Sequence, residues 1–298
     1  MILITGGAGF IGSHIADILI QNNYKVIIAD NLSTGKKDNI NNKAIFYNID
    51  IKNYNDLENI FNNNKIEYII HLAAQVSVPN SIRNPINDAN ENIIATLNII
   101  ELSKKYNIKK IIASSSAAVY GIPKKLPIDE LHTTIPISYY GLSKLTMEKY
   151  LILSNLNYII CRFSNVYGPR QTPHGEAGVV SIFMDNAINN KDLNIFGDGK
   201  QTRDFIYVED IAKIFLFFIE KNISNEILNI STNNSININE LANTIINISK
   251  SNIKINYLEK RDGDINDSIL DNKKLLNLIN INFTTIDEGL KKLLKTLI

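Results

Sequence analysis

Short apolar runs alternate with amphipathic stretches through the first half of the chain. Ile2–Thr5, Lys25–Asp30, Ala44–Asn48, Tyr68–His71, Lys110–Ser114 and Tyr158–Arg162 read as strands, with helical spacing near residues 11–22, 54–63, 88–106 and 140–155. Strands this apolar are buried on both faces, and helical crossovers are the ordinary way to join parallel neighbours. The pattern predicts an α/β fold with a doubly wound parallel sheet, Rossmann-like, over residues 1–165. Past about residue 166 the rhythm becomes irregular, with glycines and prolines in YGPRQTPHGEAG and FGDGKQ. A smaller α/β C-terminal lobe is expected over 166–298, mainly 166–204 and 233–298. The segment from about 205 to 232 is expected to return to the first domain, because FIYVEDIAKIFLFFIE followed by ILNIS reads as one more helix and strand.

Composition narrows the class. The chain has 298 residues, 45% of them hydrophobic, and a net charge of +1, so no electrostatic footprint points to nucleic acid or an acidic membrane. The most apolar run, IFLFFI from Ile214 to Ile219, is far short of the roughly 20 residues that span a bilayer. MILITGGAGF has no basic leader and reads as a first strand. Cys161 is the only cysteine, which fits a reducing, cytoplasmic setting, and its apolar context YIIC reads as an inert buried thiol. NISTNNSININELANTIINISKSNIKIN is compositionally biased, yet its isoleucines and leucines recur as in a folded segment. His14, His71 and His174 are isolated, so no metal spacing links them, and His71 reads as a structural, hydrogen-bonded histidine.

The first candidate chemistry is the turn TGGAGFIG, with Gly6, Gly9 and Gly12 between a strand and a helix. In that context glycines let the backbone approach a pyrophosphate, and the helix N-terminus offers unpaired N–H groups to the anion. Asp30 ends the second strand 18 residues after Gly12, where a carboxylate can accept both ribose hydroxyls of an adenosine. Its charge would repel a 2′-phosphate, which favours NAD over NADP. Asp50, after the third strand, is a candidate acceptor for the adenine amino group or a simple strand-end cap.

The second candidate is a Tyr–Lys pair four residues apart, a spacing that places both on one helix face. It occurs three times, at Tyr106/Lys110, Tyr120/Lys124 and Tyr140/Lys144. Gly121 and Pro123 interrupt one pair, and another straddles a helix end and a strand. Tyr140 and Lys144 alone open an uninterrupted helical pattern, with Ser138 placed to cap it. Free tyrosine has a pKa of about 10. An ammonium about 6 Å away is expected to lower it by about two units, which would let the phenol act as a base toward a sugar hydroxyl. Ser114, Ser115 and Ser116 end the fifth strand at the ligand edge of such folds, with Ser116 placed to bridge phenol and substrate.

In order and spacing, TGGAGFIG, DNLSTG, DI, HLAAQVSV, SSSAAVYG, YYGLSK, RFSNVYGPRQ, GEAGVVSIF and FGDGKQTRDFIYVEDIA resemble the extended short-chain dehydrogenase/reductases, most closely nucleotide-sugar epimerases of the UDP-glucose 4-epimerase type. The resemblance implies Tyr140 as base, Lys144 as its partner and Ser116 as relay. It implies NAD contacts at Gly6, Gly9, Phe10, Ile11, Gly12, Asp30, Asn31, Ser33, Thr34, Gly35, Asp50, Ile51, Leu72, Ala73, Ala74, Asn92 and Ser114, besides Tyr140 and Lys144. For the uridine diphosphate it implies Asn165, Val180, Phe196, Arg203 and Arg261, with Ser268 bordering the sugar where a tyrosine would exclude an N-acetyl group. The reaction implied is NAD-dependent 4-epimerisation of a UDP-hexose by a homodimer paired through the helices near 88–106 and 140–155, where Ile93, Leu97 and Ile100 form an apolar stripe that core packing predicts equally. Dehydratases and decarboxylating relatives place an acid after the strand-five serine, where this chain has Ala117 and Ala118. A UDP-glucuronate 4-epimerase and a non-catalytic NAD-binding regulator remain as alternatives; a regulator usually lacks the Tyr–Lys pair that is present here.

Overall fold

The computed structural model describes residues 1–173, 178–260 and 265–298. Its strands are β1 Ile2–Thr5, β2 Val26–Asp30, β3 Ile45–Asn48, β4 Tyr68–His71, β5 Lys110–Ser116, β6 Tyr158–Phe163, β7 Asn165–Tyr167, β8 Leu193–Phe196, β9 Thr202–Tyr207, β10 Glu226–Ile230, β11 Ser235–Asn237, β12 Ile255–Leu258 and β13 Asp267–Ser268. The helices that matter below are α1 Phe10–Gln21, α2 Tyr54–Asn63, α3 Val78–Arg83, α4 Pro85–Ala89, α5 Ala95–Lys105, α6 Tyr139–Leu153, α7 Val179–Ile188, α8 Val208–Glu220 and α9 Ile238–Ser249. The chain divides into two compact units. One comprises Met1–Ile122, Leu131–Phe163 and Ile211–Leu228; the other comprises Pro123–Glu130, Ser164–Asp210 and Asn229–Ile298.

The first unit is built on a seven-stranded sheet in the order β10-β6-β5-β4-β1-β2-β3, and the pairings from β3 through β6 are parallel. The doubly wound sheet expected from the apolar runs is therefore present. Every residue of β1 and β2 is buried, as strands covered on both faces must be. Strand order reverses between β1 and β4, so the loops leaving their carboxyl ends flank the switch point where such folds take ligands. Leu3, Ile27, Ile69, Ile99, Ile111 and Leu151 are part of the core on one face of this sheet.

The segment 88–106 departs from the single helix expected. Pro85 starts the short helix α4, Asn90–Ile94 form a turn of π-helix, and α5 follows. The π turn carries Asn92, whose amide exchanges hydrogen bonds with the Gln75 backbone, and Thr96 donates to the Asn92 carbonyl at 2.6 Å. An extra residue in one turn, a device common at functional sites, is thus held by buried polar contacts. Ile100 of the expected stripe lies in the core, whereas Ile94, Leu142, Tyr150 and Leu153 are among the exposed apolar residues of these helices.

The second unit has a four-stranded sheet in which β9 pairs with β7, β11 and β13, and a parallel pair, β8 with β12. Val180, Phe183, Leu193, Phe205, Leu241 and Ile245 contribute to its core. The biased stretch 229–256 is folded, as its recurring isoleucines require. Asn237 caps α9 by accepting from Glu240 N, and Ile238, Leu241, Ala242 and Ile245 are buried.

Candidate active site

Ser138, extended just before α6, accepts a hydrogen bond from Gly141 N at 3.1 Å and so starts the helix that carries Tyr140 in its first turn. Tyr140 and Lys144 are both buried, while Tyr139 is half exposed. The other two Tyr–Lys pairs form no helical pair. Tyr106 is the C-cap of α5, and Lys110 lies in β5 donating to the Phe218 and Lys221 carbonyls. Tyr120 ends a 3-10 turn and accepts from Arg162.

Ser116, the last residue of β5, accepts from Ala118 N at 3.2 Å. That leaves its own proton to turn toward the Tyr140 phenol, whose pKa the Ser116 side chain is near enough to lower. Lys144 Nζ donates to the Ser114 carbonyl at 3.0 Å, and Ser114 Oγ donates to the His71 carbonyl at 3.3 Å. Tyr140, Lys144 and Ser116 thus meet at the carboxyl end of β5.

The charge balance differs from the sequence expectation in one respect. Burial is the leading influence on Tyr140 and pushes its phenol up to about 12; the Ser116 hydrogen bond pulls it down and the charge of Asp88 pushes it further up. Lys144 does not dominate the phenol, because its amine is turned to a carbonyl of β5 and is itself desolvated. Burial lowers Lys144 to about 8, against the raising charges of Asp88 and Glu148. Desolvation, and next the Lys144 charge, lower His71 to about 3, so it is a neutral imidazole. Thr96 donates its proton to Asn92 O, so it accepts from His71 Nε2 at 3.0 Å, and His71 Nδ1 then accepts from Thr5 Oγ1 at 2.8 Å. Thr5 Oγ1 in turn accepts from Leu72 N and Ala73 N. This is the structural histidine the HLAA context suggests.

The glycine turn fits a dinucleotide. Gly6 has φ +72, and a Cβ there would lie 2.7 Å from Ala73 N; one on Gly12 would lie 2.3 Å from Gly6 O. Helix α1 starts at Gly9 with no side-chain cap, so its first N–H groups remain for an anion. Asp30 is buried and accepts from Ala8 N at 3.0 Å and Leu32 N at 2.8 Å. A carboxylate has about four acceptor positions, so room remains for two ribose hydroxyls. Gly35 packs on Asp30, Asn31 Oδ1 accepts from Ser33 N, and Ser33 and Thr34 are exposed at the rim; Phe10 and Ile11 open α1, half-buried. Asp50 accepts from Lys52 N at 2.9 Å and pairs with Lys52, the strand-end role, while Ile51 is buried beside it and Ala74 is half-buried. Asn92 is 2% exposed and its amide is bonded to Gln75, Asp88 and Ser143. The sequence patterns did not single out Asp88, Gln75 and Ser143; Asp88 stands in the polar run NDANEN, at the start of the helical spacing near 88–106.

The second unit holds the other candidates. Strand register sets Ser268 opposite Arg203 and Asn165 opposite Phe205, and Arg203 and Phe205 share a face of β9. Arg203 donates from one guanidinium nitrogen to the carbonyls of Thr202 at 2.8 Å and Asn266 at 3.2 Å. Phe196 ends β8 and lines a cavity of about 530 Å³ with Gly197, Asp198, Lys200, Gln201 and Lys260 among its walls. Val180 is a core residue in the first turn of α7, a helix without a side-chain cap, so its backbone N–H is what it can offer. Arg261 and His174 lie outside the described residues. Cys161 is buried and desolvation pushes its thiol far above the usual range. Among the described residues no group of His, Cys, Asp and Glu could hold a metal, and no helix is long and apolar enough to cross a membrane.

The chain is 49% identical over 98% of its length to a putative UDP-glucose 4-epimerase of Methanocaldococcus jannaschii, covering 96% of that protein. Its structure matches that of a Thermotoga maritima UDP-glucose 4-epimerase with UDP-glucose at a TM-score of 0.96, with 42% identity and coverage of 99% of this chain and 98% of the other. It also matches a UDP-N-acetylglucosamine 4-epimerase of Methanobrevibacter ruminantium in complex with UDP-N-acetylmuramic acid at a TM-score of 0.94, with 37% identity and coverage of 99% and 97%. The family model of NAD dependent epimerases and dehydratases matches residues 2–231, and the chain belongs to that family of NAD-dependent enzymes.

Proposed function

We propose that the chain inverts C4 of a UDP-hexose through a 4-keto sugar, working in the cytoplasm as a homodimer. The observation that carries this reading is the convergence of Tyr140, Ser116 and Lys144 in a chain whose next two residues after Ser116 are Ala117 and Ala118. No acid stands there to protonate a departing hydroxyl, so oxidation and reduction at one carbon is the chemistry left.

Gly6, Gly9, Gly12 and Asp30 hold the dinucleotide, and when bound the oxidised nicotinamide supplies a hydride acceptor and a positive charge. Tyr140 takes the proton of the C4 hydroxyl as that carbon is oxidised, and returns it when hydride comes back to the other face of the ketone. Ser116 donates to the phenol oxygen and steadies its ionised form, which burial alone opposes. Lys144, anchored on Ser114 O, holds the ammonium beside the pair. The sugar has to turn over between the two transfers, so the nucleotide is gripped and the hexose is not. Arg203 and Phe196 supply that grip.

Ser268 is small and half-buried opposite Arg203. It leaves room for an N-acetyl group, and similarity to a UDP-N-acetylglucosamine 4-epimerase supports turnover of both kinds of sugar. NMR of UDP-Glc, UDP-GlcNAc and UDP-GlcA, each incubated with protein and no added NAD, tests the reading. Inversion at C4 of UDP-Glc or UDP-GlcNAc is expected. Absence of inversion in all three, or inversion that survives Tyr140→Phe, sinks it. Ser268→Tyr should lower turnover of the N-acetylated pair about tenfold or more and spare the other. Exposed Ile94, Leu142, Tyr150 and Leu153 supply an apolar face for the dimer, and light scattering should return twice the chain mass.

A further inference from the structure

Asp88 is a carboxylate the reaction above does not use. It sits on α4 just before the π turn and is 1% exposed. Its side chain accepts from two neutral carboxamides, Gln75 Nε2 at 2.8 Å and Asn92 Nδ2 at 3.1 Å, both on Oδ1. Buried carboxylates are rare unless a positive charge answers them. Here the buried Lys144 is the cation that feels the Asp88 charge, and among the described residues Asp88 forms no ion pair.

A chain of hydrogen bonds ties Asp88 to the first turn of α6. Asn92 Nδ2 also reaches Ser143 Oγ at 3.0 Å, Ser143 Oγ donates to Tyr140 O at 3.0 Å, and Tyr140 N donates to Ser81 Oγ at 3.1 Å. The other charges around the pair are already matched or remote. Glu148 on α6 is bound to Arg162, Glu91 of the π turn pairs with Lys52, His71 of β4 is neutral, and Arg83 of α3 is exposed. Asp88 is the first cause raising Lys144 and the one charge raising Tyr140.

We propose that Asp88 is a positioning residue whose buried charge acts through Lys144 and Tyr140, keeping the lysine an ammonium and restraining the phenol, and so sets the pH range in which the pair works. This rests on the reading of Tyr140 and Lys144 as the proton-handling pair. A coupled pair titrates as a unit, so one lost charge should move both of its apparent pKa values the same way.

Asp88→Asn keeps the Oδ1 acceptor for both carboxamides and removes the charge. Both limbs of its kcat–pH profile should move together to lower pH by about one unit, giving up to about tenfold more activity than wild type on the acid side and as much less on the alkaline side. KM and bound NAD per subunit should not change. Asp88→Glu should restore the wild-type limbs even where kcat is lower, and Asp88→Ser carries the same expectation as Asn if the amide variant does not accumulate folded. Limbs that coincide with wild type overturn the proposal. If wild type epimerises no UDP-sugar, the functional reading fails on its own. Tyrosinate absorbance then tests Asp88 without turnover, with Tyr140→Phe as the blank: ionisation of Tyr140 at lower pH in Asp88→Asn supports the role, and an unshifted titration refutes it.

Discussion

The two units treat their candidate residues in opposite ways. In the first, Tyr140, Lys144, Asn92 and Asp88 are buried and bonded to one another or to the ends of β4 and β5. In the second, Val180 is a core residue, but Asn165 is exposed and Phe196, Arg203 and Ser268 are half-buried. The contrast follows from what each must do. A proton donor has to be placed to within fractions of an ångström, which interior hydrogen bonds secure. A ligand grip needs charge and area at a surface a nucleotide can enter. Substitutions in the first unit should therefore act on kcat or on folding, and those in the second on KM.

Tyr140→Phe is the strongest test of the first half of that contrast. It removes one hydroxyl and leaves the ring buried, so kcat should fall by about a thousandfold or more while KM and the unfolding midpoint stay near wild type. Tyr139→Phe, half exposed one residue earlier, should be silent. A large change in KM for Tyr140→Phe would break the contrast.

What could be read from the chain follows the same division. The central strands of the sheet are buried on both faces, so their apolar runs stand out; β1 and β4 have the expected boundaries and the others differ by at most two residues, β5 running to Ser116 rather than Ser114. Ser138 and the glycine turn were legible because capping and close approach require specific residue types. The break in 88–106 was not, because a π turn has no residue signature and is held in part by Gln75 from outside the segment. Asp88 was hidden for the same reason: its burial is decided by contacts distant in sequence. The strands β11 and β13, of three and two residues, are too short to carry a periodicity.

Next in size is the ion pair behind the catalytic helix. Glu148 accepts from Arg162 at 2.9 and 2.6 Å and from Ser115 at 2.5 Å, all buried. Glu148→Ala strands the guanidinium and should cost about 3–5 kcal/mol in urea unfolding. Replacing both partners with apolar residues should recover most of that loss. A smaller effect belongs to the second unit. The guanidinium of Arg203 suits a pyrophosphate. Arg203→Ala should raise KM for a UDP-sugar about tenfold to a hundredfold with kcat nearly unchanged, as expected for one charged hydrogen-bonding group.

Asp204, next to Arg203, is where the second unit most resembles the first. It is fully buried, and its oxygens accept from Thr232 N, Thr232 Oγ1 and Asn233 N, neutral donors that hold the turn after β10. Desolvation pushes its carboxyl up to about 6, and those hydrogen bonds only partly offset the push. An unfolded aspartate titrates near 3.9. Between about pH 4 and pH 6 the folded chain therefore binds the proton more tightly than the unfolded chain. The resulting stability is fully present below about pH 4 and is lost as pH rises through about 6, the reverse of a salt-bridged carboxylate. The expected size is about 1–3 kcal/mol, at about 1.4 kcal/mol per unit. Carboxylates such as Glu288, held low by hydrogen bonds from Thr285, push the whole protein the other way on acidification. The measurement is thus the stability difference between wild type and Asp204→Asn, followed by urea unfolding from pH 4 to 7. Wild type should gain on the variant as pH falls. A difference flat with pH would mean that Asp204 is ionised at little cost despite its burial, so that the second unit carries buried charge as the first does.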